Sequence, residues 1–106
     1  MLFLYKKLDA LSEGDPAFKA ALYDMYSEID SALNEGKFDA VDKTIADLDV
    51  SSMKSVTLIG FLTATLPARY FLPSRSELFQ RIAEDFKRRA ATDPKYNDPT
   101  LLSGLA

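Results

Sequence analysis

Apolar residues recur along this chain at spacings of three and four, the period of one face of a helix. Leu4, Leu8 and Leu11 form a short stretch of this kind that stops before Gly14. Phe18, Leu22, Met25, Ile29, Ala32 and Leu33 form the longest run, and Asp15-Pro16 stands ahead of it. That pair predicts an N-cap and first helical position, because proline lacks the N–H that would be unpaired there. Gly36 interrupts the run and suits the left-handed conformation that often closes a helix. Phe38, Val41, Ile45 and Leu48 then resume the period. The stretch from Ala32 to Val41 therefore predicts the turn of an antiparallel helical hairpin.

The pattern changes character in the middle of the chain. Val56, Leu58, Ile59, Phe61, Leu62 and Leu66 cover much of a helix circumference, so this helix belongs at the centre of a bundle. Ser51 and Ser52 are placed to cap it, and Pro67 ends it or kinks its last turn. Pro67 to Pro73 is a connection fenced by prolines. Ser74-Arg75-Ser76-Glu77 has the form of a capping box. Leu78, Phe79, Ile82, Phe86 and Ala90 give the last long helix its buried face. Beyond Thr92, Asp93-Pro94 and Asp98-Pro99 predict an extended tail, with Leu101, Leu102 and Leu105 as a small anchor.

The expected fold is all-α: a compact bundle of four main helices near 16–35, 37–48, 52–66 and 75–91. They form two antiparallel hairpins, with a short N-terminal helix before and the tail after. Residues 1–91 form one helical domain and 92–106 the tail. The length of 106 residues fits one domain, and 47% hydrophobic with 27% charged residues is ordinary globular composition. Met1 to Lys7 places its apolar residues before its positive charges, the reverse of a secretory signal. No apolar stretch approaches the roughly 20 residues of a membrane span. The expected location is cytoplasmic.

Composition also narrows the chemistry. The chain has no His and no Cys, the commonest metal ligands and, for His, the commonest general base. Its four Gly residues, at 14, 36, 60 and 104, are dispersed and draw no phosphate-cradling loop. Carboxylates come in near pairs: Asp24 with Glu28, Asp39 with Asp42, Asp47 with Asp49, Glu84 with Asp85. Such pairs can run acid–base chemistry when burial raises one pKa. A solvated acidic face or a partner surface is the simpler reading, and neither an enzymatic activity nor a cofactor or metal is expected.

The charge is uneven. Residues 1–50 hold 5 Lys against 11 Asp and Glu, a net −6, whereas 51–106 hold 8 Lys and Arg against 5, a net +3. Either the two halves complement each other within the fold, or one offers a polar face to a partner. Arg69, Arg75, Arg81, Lys87, Arg88 and Arg89, with Tyr70 and Tyr96, give the second half the charge and stacking groups of a nucleic-acid regulator. Against this, Glu77–Arg81, Glu84–Arg88 and Asp85–Arg89 are spaced to neutralise one another along one helix.

The first hairpin resembles a tetratricopeptide repeat. Gly36, Phe38 and Ala40 stand in the order of that family's turn, large aromatic and small contact residue, and Ala32 and Leu33 fit the end of its first helix. The period of 34 residues carries Gly36 to Tyr70, inside the second connection. The resemblance covers mainly residues 19–52. It departs from the family in having no early Trp, no proline closing the first repeat and no Gly at the second turn. What it implies is peptide or protein binding in a concave groove.

The expected function is therefore a non-enzymatic protein–protein interaction module or small adaptor, with a nucleic-acid-associated regulator as the alternative. Tyr and Arg are the residue types most enriched in binding hot spots. They place the candidate partner surface at Arg69, Tyr70, Phe71 and Arg75. The competing expectation is that Phe71 and Leu72 fold back to plug the bundle. Leu4, Leu8 and Leu11 are a candidate homodimer stripe, or else pack back on their own domain.

Overall fold

The computed structural model describes residues 2–106. It is all-helical, with no strand among the described residues. The helices are α1 (Leu4–Ala10), α2 (Phe18–Asn34), α3 (Phe38–Ala46), α4 (Ser55–Thr65) and α5 (Ser74–Arg89). Short 3₁₀ turns at Val50–Ser52, Leu66–Phe71 and Pro94–Asn97 lie between and after them. The radius of gyration of 13.4 Å is that of a single packed domain of this length. No described helix is long and apolar enough to cross a membrane.

The core follows the apolar period. Leu8, Met25, Ile29, Val41, Ile45, Leu58, Phe61, Leu62, Leu78 and Ile82 are fully buried. α1, α2 and α4 pack against one another, and α3 packs on α5. α4 buries more than half of its circumference, including Thr57 and Thr65, and leaves Val56 and Ile59 partly exposed and Thr63 exposed on the remaining side. At Gly60 a β-carbon would lie 2.4 Å from Cε of Met25 on α2, so the absent side chain makes room for the end of that methionine. Gly36, at φ 75°, supplies the left-handed residue between α2 and α3.

The helix starts differ from expectation, and all in one way. No α-helix is capped by the side chain of its own N-cap residue. Asp15 accepts from the N–H of Ala17 at 2.8 Å, which makes a turn around Pro16 and delays α2 to Phe18. Ser51 and Ser52 bond to Asp49 within their own 3₁₀ turn, and α4 begins at Ser55. Ser74 is the first residue of α5 and not its cap, so no capping box with Glu77 forms.

Carboxylates from distant segments instead serve the starts of α1, α4 and α5. Glu28 on α2 accepts from the N–H groups of Phe3 and Leu4 at 2.9 and 3.1 Å. Asp9 on α1 accepts from the N–H of Lys54 at 2.8 Å and from Oγ1 of buried Thr57 at 2.9 Å. Asp42 on α3 accepts from both the N–H and the hydroxyl of Ser74, at 2.8 and 2.9 Å. A carboxylate at a helix start brings a full negative charge to the positive end of the dipole, which a local hydroxyl does not.

The two ends of the chain also pack inward. Leu2 and Leu8 are buried, and Tyr5 meets Phe61 edge-on at 5.1 Å. Phe3 and Leu4 stay exposed. Residues 92–106 are not the extended tail expected from their prolines. They coil back, with Tyr96 edge-on to Phe86 at 4.9 Å and Leu101, Leu102 and Leu105 against the core.

Candidate functional site

Pro67 sets the geometry of the α4–α5 connection. Lacking an N–H, it cannot continue the helical ladder, and the chain tightens into the 3₁₀ turn with a kink at Ala68 (φ −106°, ψ 17°). This turn sends three consecutive side chains, Arg69 to Phe71, outward between two that are buried. Ala68 and Leu72 go into the core, while Tyr70 is 84% and Phe71 63% exposed. Leu72 therefore plugs the bundle as expected, whereas Phe71 does not. Phe71 lies outside, stacked on Phe38 with ring centroids 4.9 Å apart and planes 19° apart. Phe38, at the start of α3, is only partly buried.

Arg69 completes the exposed group. Its guanidinium sits 4.6 Å from the Tyr70 ring centroid and donates to the carbonyl of Leu66 at 3.0 Å. Arg75, expected beside it, is instead 2% exposed. It donates to Oγ1 of Thr65 at 2.9 Å and to the carbonyls of Leu62 and Leu105, each at 2.6 Å. Burial, and then the charge of Arg69, push its pKa below the ordinary arginine value. Arg75 thus fastens the end of α4 and the returning tail, and is not on offer to a partner. Arg69, Tyr70 and Phe71 remain together at the surface.

The other second-half arginines are also engaged internally. Arg81 donates to the carbonyl of Leu48 at 2.5 Å, and Arg89 to those of Val50 and Met53 at 2.9 and 2.7 Å. Asp85, 8% exposed, pairs with Arg88 and Arg89. Nε of Arg89 lies 2.5 Å from its Oδ2 without hydrogen-bond alignment, so that contact is ionic. Glu77–Arg81 and Glu84–Arg88, the other spacings expected to pair, do not form ion pairs. An open cleft of about 480 Å³ beside this network is walled by Arg81 and Arg88 but also by Asp49, Glu84 and Asp85. Its mixed charge favours no single class of ligand.

The near pairs of carboxylates come apart in the same way. Glu28 and Asp42 hold helix starts, Asp49 accepts from Ser51, and Asp85 is held by arginines. Among the described residues no group of three or more Asp or Glu gathers as metal ligands would. Sequence reading missed Phe38 as part of the exposed aromatic surface. Its place after Gly36 was the available signal, but only the fold shows that α3 starts beside the α4–α5 connection. No protein family matches the chain, and no curated protein or solved structure matches it either.

Proposed function

We propose that this chain is a cytoplasmic, non-enzymatic protein–protein interaction module, a small adaptor or accessory subunit. Its partner docks on Arg69, Tyr70 and Phe71. The reading treats α2–α3 and α4–α5 as two antiparallel hairpins of the repeat-like kind, with the docking residues on the turn of the second. One observation carries it: two large aromatic residues and an arginine stand exposed on a connection whose neighbours Ala68 and Leu72 are buried. Nothing in core packing requires aromatic residues at those two positions, and these residue types dominate binding energy where proteins meet.

Two other readings lose ground on specific contacts. The nucleic-acid alternative relied on a row of arginines, and Arg75, Arg81 and Arg89 are bonded to backbone carbonyls. Self-association through Leu4, Leu8 and Leu11 would need α1 to leave the core, because Leu8 is enclosed by its own chain. The test compares proteins captured by the immobilised full chain with those captured by Tyr70→Ser/Phe71→Ser. Unchanged circular dichroism with loss of specific partners is the expected result. Equal capture by both overturns the reading.

A further inference from the structure

The electrostatics of this surface name the chemistry of its partner. Arg69 and Arg75 are anchored on the same structural feature, the carbonyl end of α4. Arg75 bonds Leu62 and Thr65, and Arg69 bonds Leu66, the next residue along. Neither forms an ion pair among the described residues. The carboxylate that reaches this region, that of Asp42, has both oxygens on Ser74. A helix end supplies about half of one negative charge, so two guanidiniums against it and the one Asp42 carboxylate leave a local excess of about +0.5. The lowered pKa of Arg75, caused by burial and then by Arg69, agrees with two cations held close together. This positive spot stands in a chain whose net charge is −3.

Beside it lies apolar surface of defined shape. One face of Phe71 rests on Phe38, and its 63% exposure leaves the rest of the ring open. Tyr70 stands exposed with the Arg69 guanidinium over its ring and donating to its hydroxyl. A fitting partner therefore supplies a negative group for Arg69 and, a few ångströms on, an apolar side chain to cover Phe71. We propose that the Arg69–Phe71 surface binds an acidic peptide segment bearing a leucine or aromatic side chain. The Asp or Glu carboxylate of that segment pairs with Arg69, and its apolar side chain lies on the Phe71–Phe38 stack. The proposal rests on the interaction-module reading and adds the chemical class of the partner. Arginine suits the task because its planar fork pairs a carboxylate through two parallel bonds.

The test is selection of short random peptides on the full chain, followed by binding of the enriched peptides to the wild type, Arg69→Glu and Tyr70→Ser/Phe71→Ser. Both variants alter exposed side chains, and circular dichroism checks that the fold is kept. The expected result is enrichment of Asp or Glu together with Leu, Phe or Trp. Binding should fall about tenfold or more in either variant. Affinity should also weaken with salt, and Arg69→Glu should select basic peptides instead. Neutral or basic peptides that still require Tyr70 and Phe71 would overturn the acidic assignment and leave the docking surface standing. Enriched peptides indifferent to both variants, or no enrichment, would overturn both. Tight, Arg69- and Tyr70-dependent binding of an oligothymidine probe would overturn the proposal in favour of nucleic acid.

Discussion

The connection between α3 and α4 and the connection between α4 and α5 are of similar length and are built on opposite plans. In the first, Leu48, Val50 and Met53 all point inward and are nearly fully buried. Their carbonyls are clasped by Arg81 and Arg89, which reach across from α5. In the second, Ala68 and Leu72 hold the chain down while Tyr70 and Phe71 stand out. Its arginine, Arg69, bonds to its own turn and stacks on its own neighbour. The first connection uses arginines from another helix to satisfy its backbone, and the second keeps its arginine and aromatic residues on its own surface, with only local contacts. That difference separates a loop that stabilises from one that is available for binding.

Substitutions can break or sharpen the contrast. Arg89→Met should have the largest effect, because it removes two carbonyl partners and one of the two cations facing buried Asp85. A loss of about 3 kcal/mol is expected from urea unfolding. Asp9→Ala comes next, since it strips the start of α4 and leaves the buried hydroxyl of Thr57 without its acceptor. About 2 kcal/mol should be lost, with Asp9→Asn recovering part of it. Phe71→Ser removes only the stack on Phe38 and should cost about 1 kcal/mol. Tyr70→Ser should shift stability by less than about 0.5 kcal/mol. If Tyr70→Ser proved as costly as Arg89→Met, the α4–α5 connection would be a structural loop like the other, and the contrast would fail.

What was legible in the sequence was local. The spacing from Phe18 to Leu33, the break at Gly36 and the all-round apolar run around Phe61 each describe one element by itself. Each therefore survives into the fold. The exposed aromatic pair was legible only in part. Residue type marked Tyr70 and Phe71 as a partner surface, but the same stretch also allowed Phe71 to plug the bundle, and it does not. The helix starts were not legible. Asp15, Ser52 and Ser74 have the right chemistry for capping, but Asp15 uses its carboxylate in a turn ahead of α2, and at the starts of α4 and α5 Asp9 and Asp42 arrive from elsewhere with stronger groups. Arg75 misled for a related reason. Its position in the first turn of α5 says nothing about the α4 carbonyls that enclose it. The tail read as extended because Pro94 and Pro99 forbid an α-helix, although both tolerate the tight turns that return it to the core.

The exchange of caps between helices has a consequence for how the molecule gains and loses structure. The donors and acceptors at the starts of α1, α4 and α5 are separated by 24, 45 and 32 residues. Each of these three helices thus takes the acceptor for its first turn from another helix. Excised as peptides, they would lose these partners along with their packing, and helices of this length are marginal in water alone. Melting any one of α1, α2 or α3 uncaps a neighbour. The fraying that normally begins at helix ends is thereby coupled across the domain, which favours one sharp cooperative transition over a gradual loss of helices one by one.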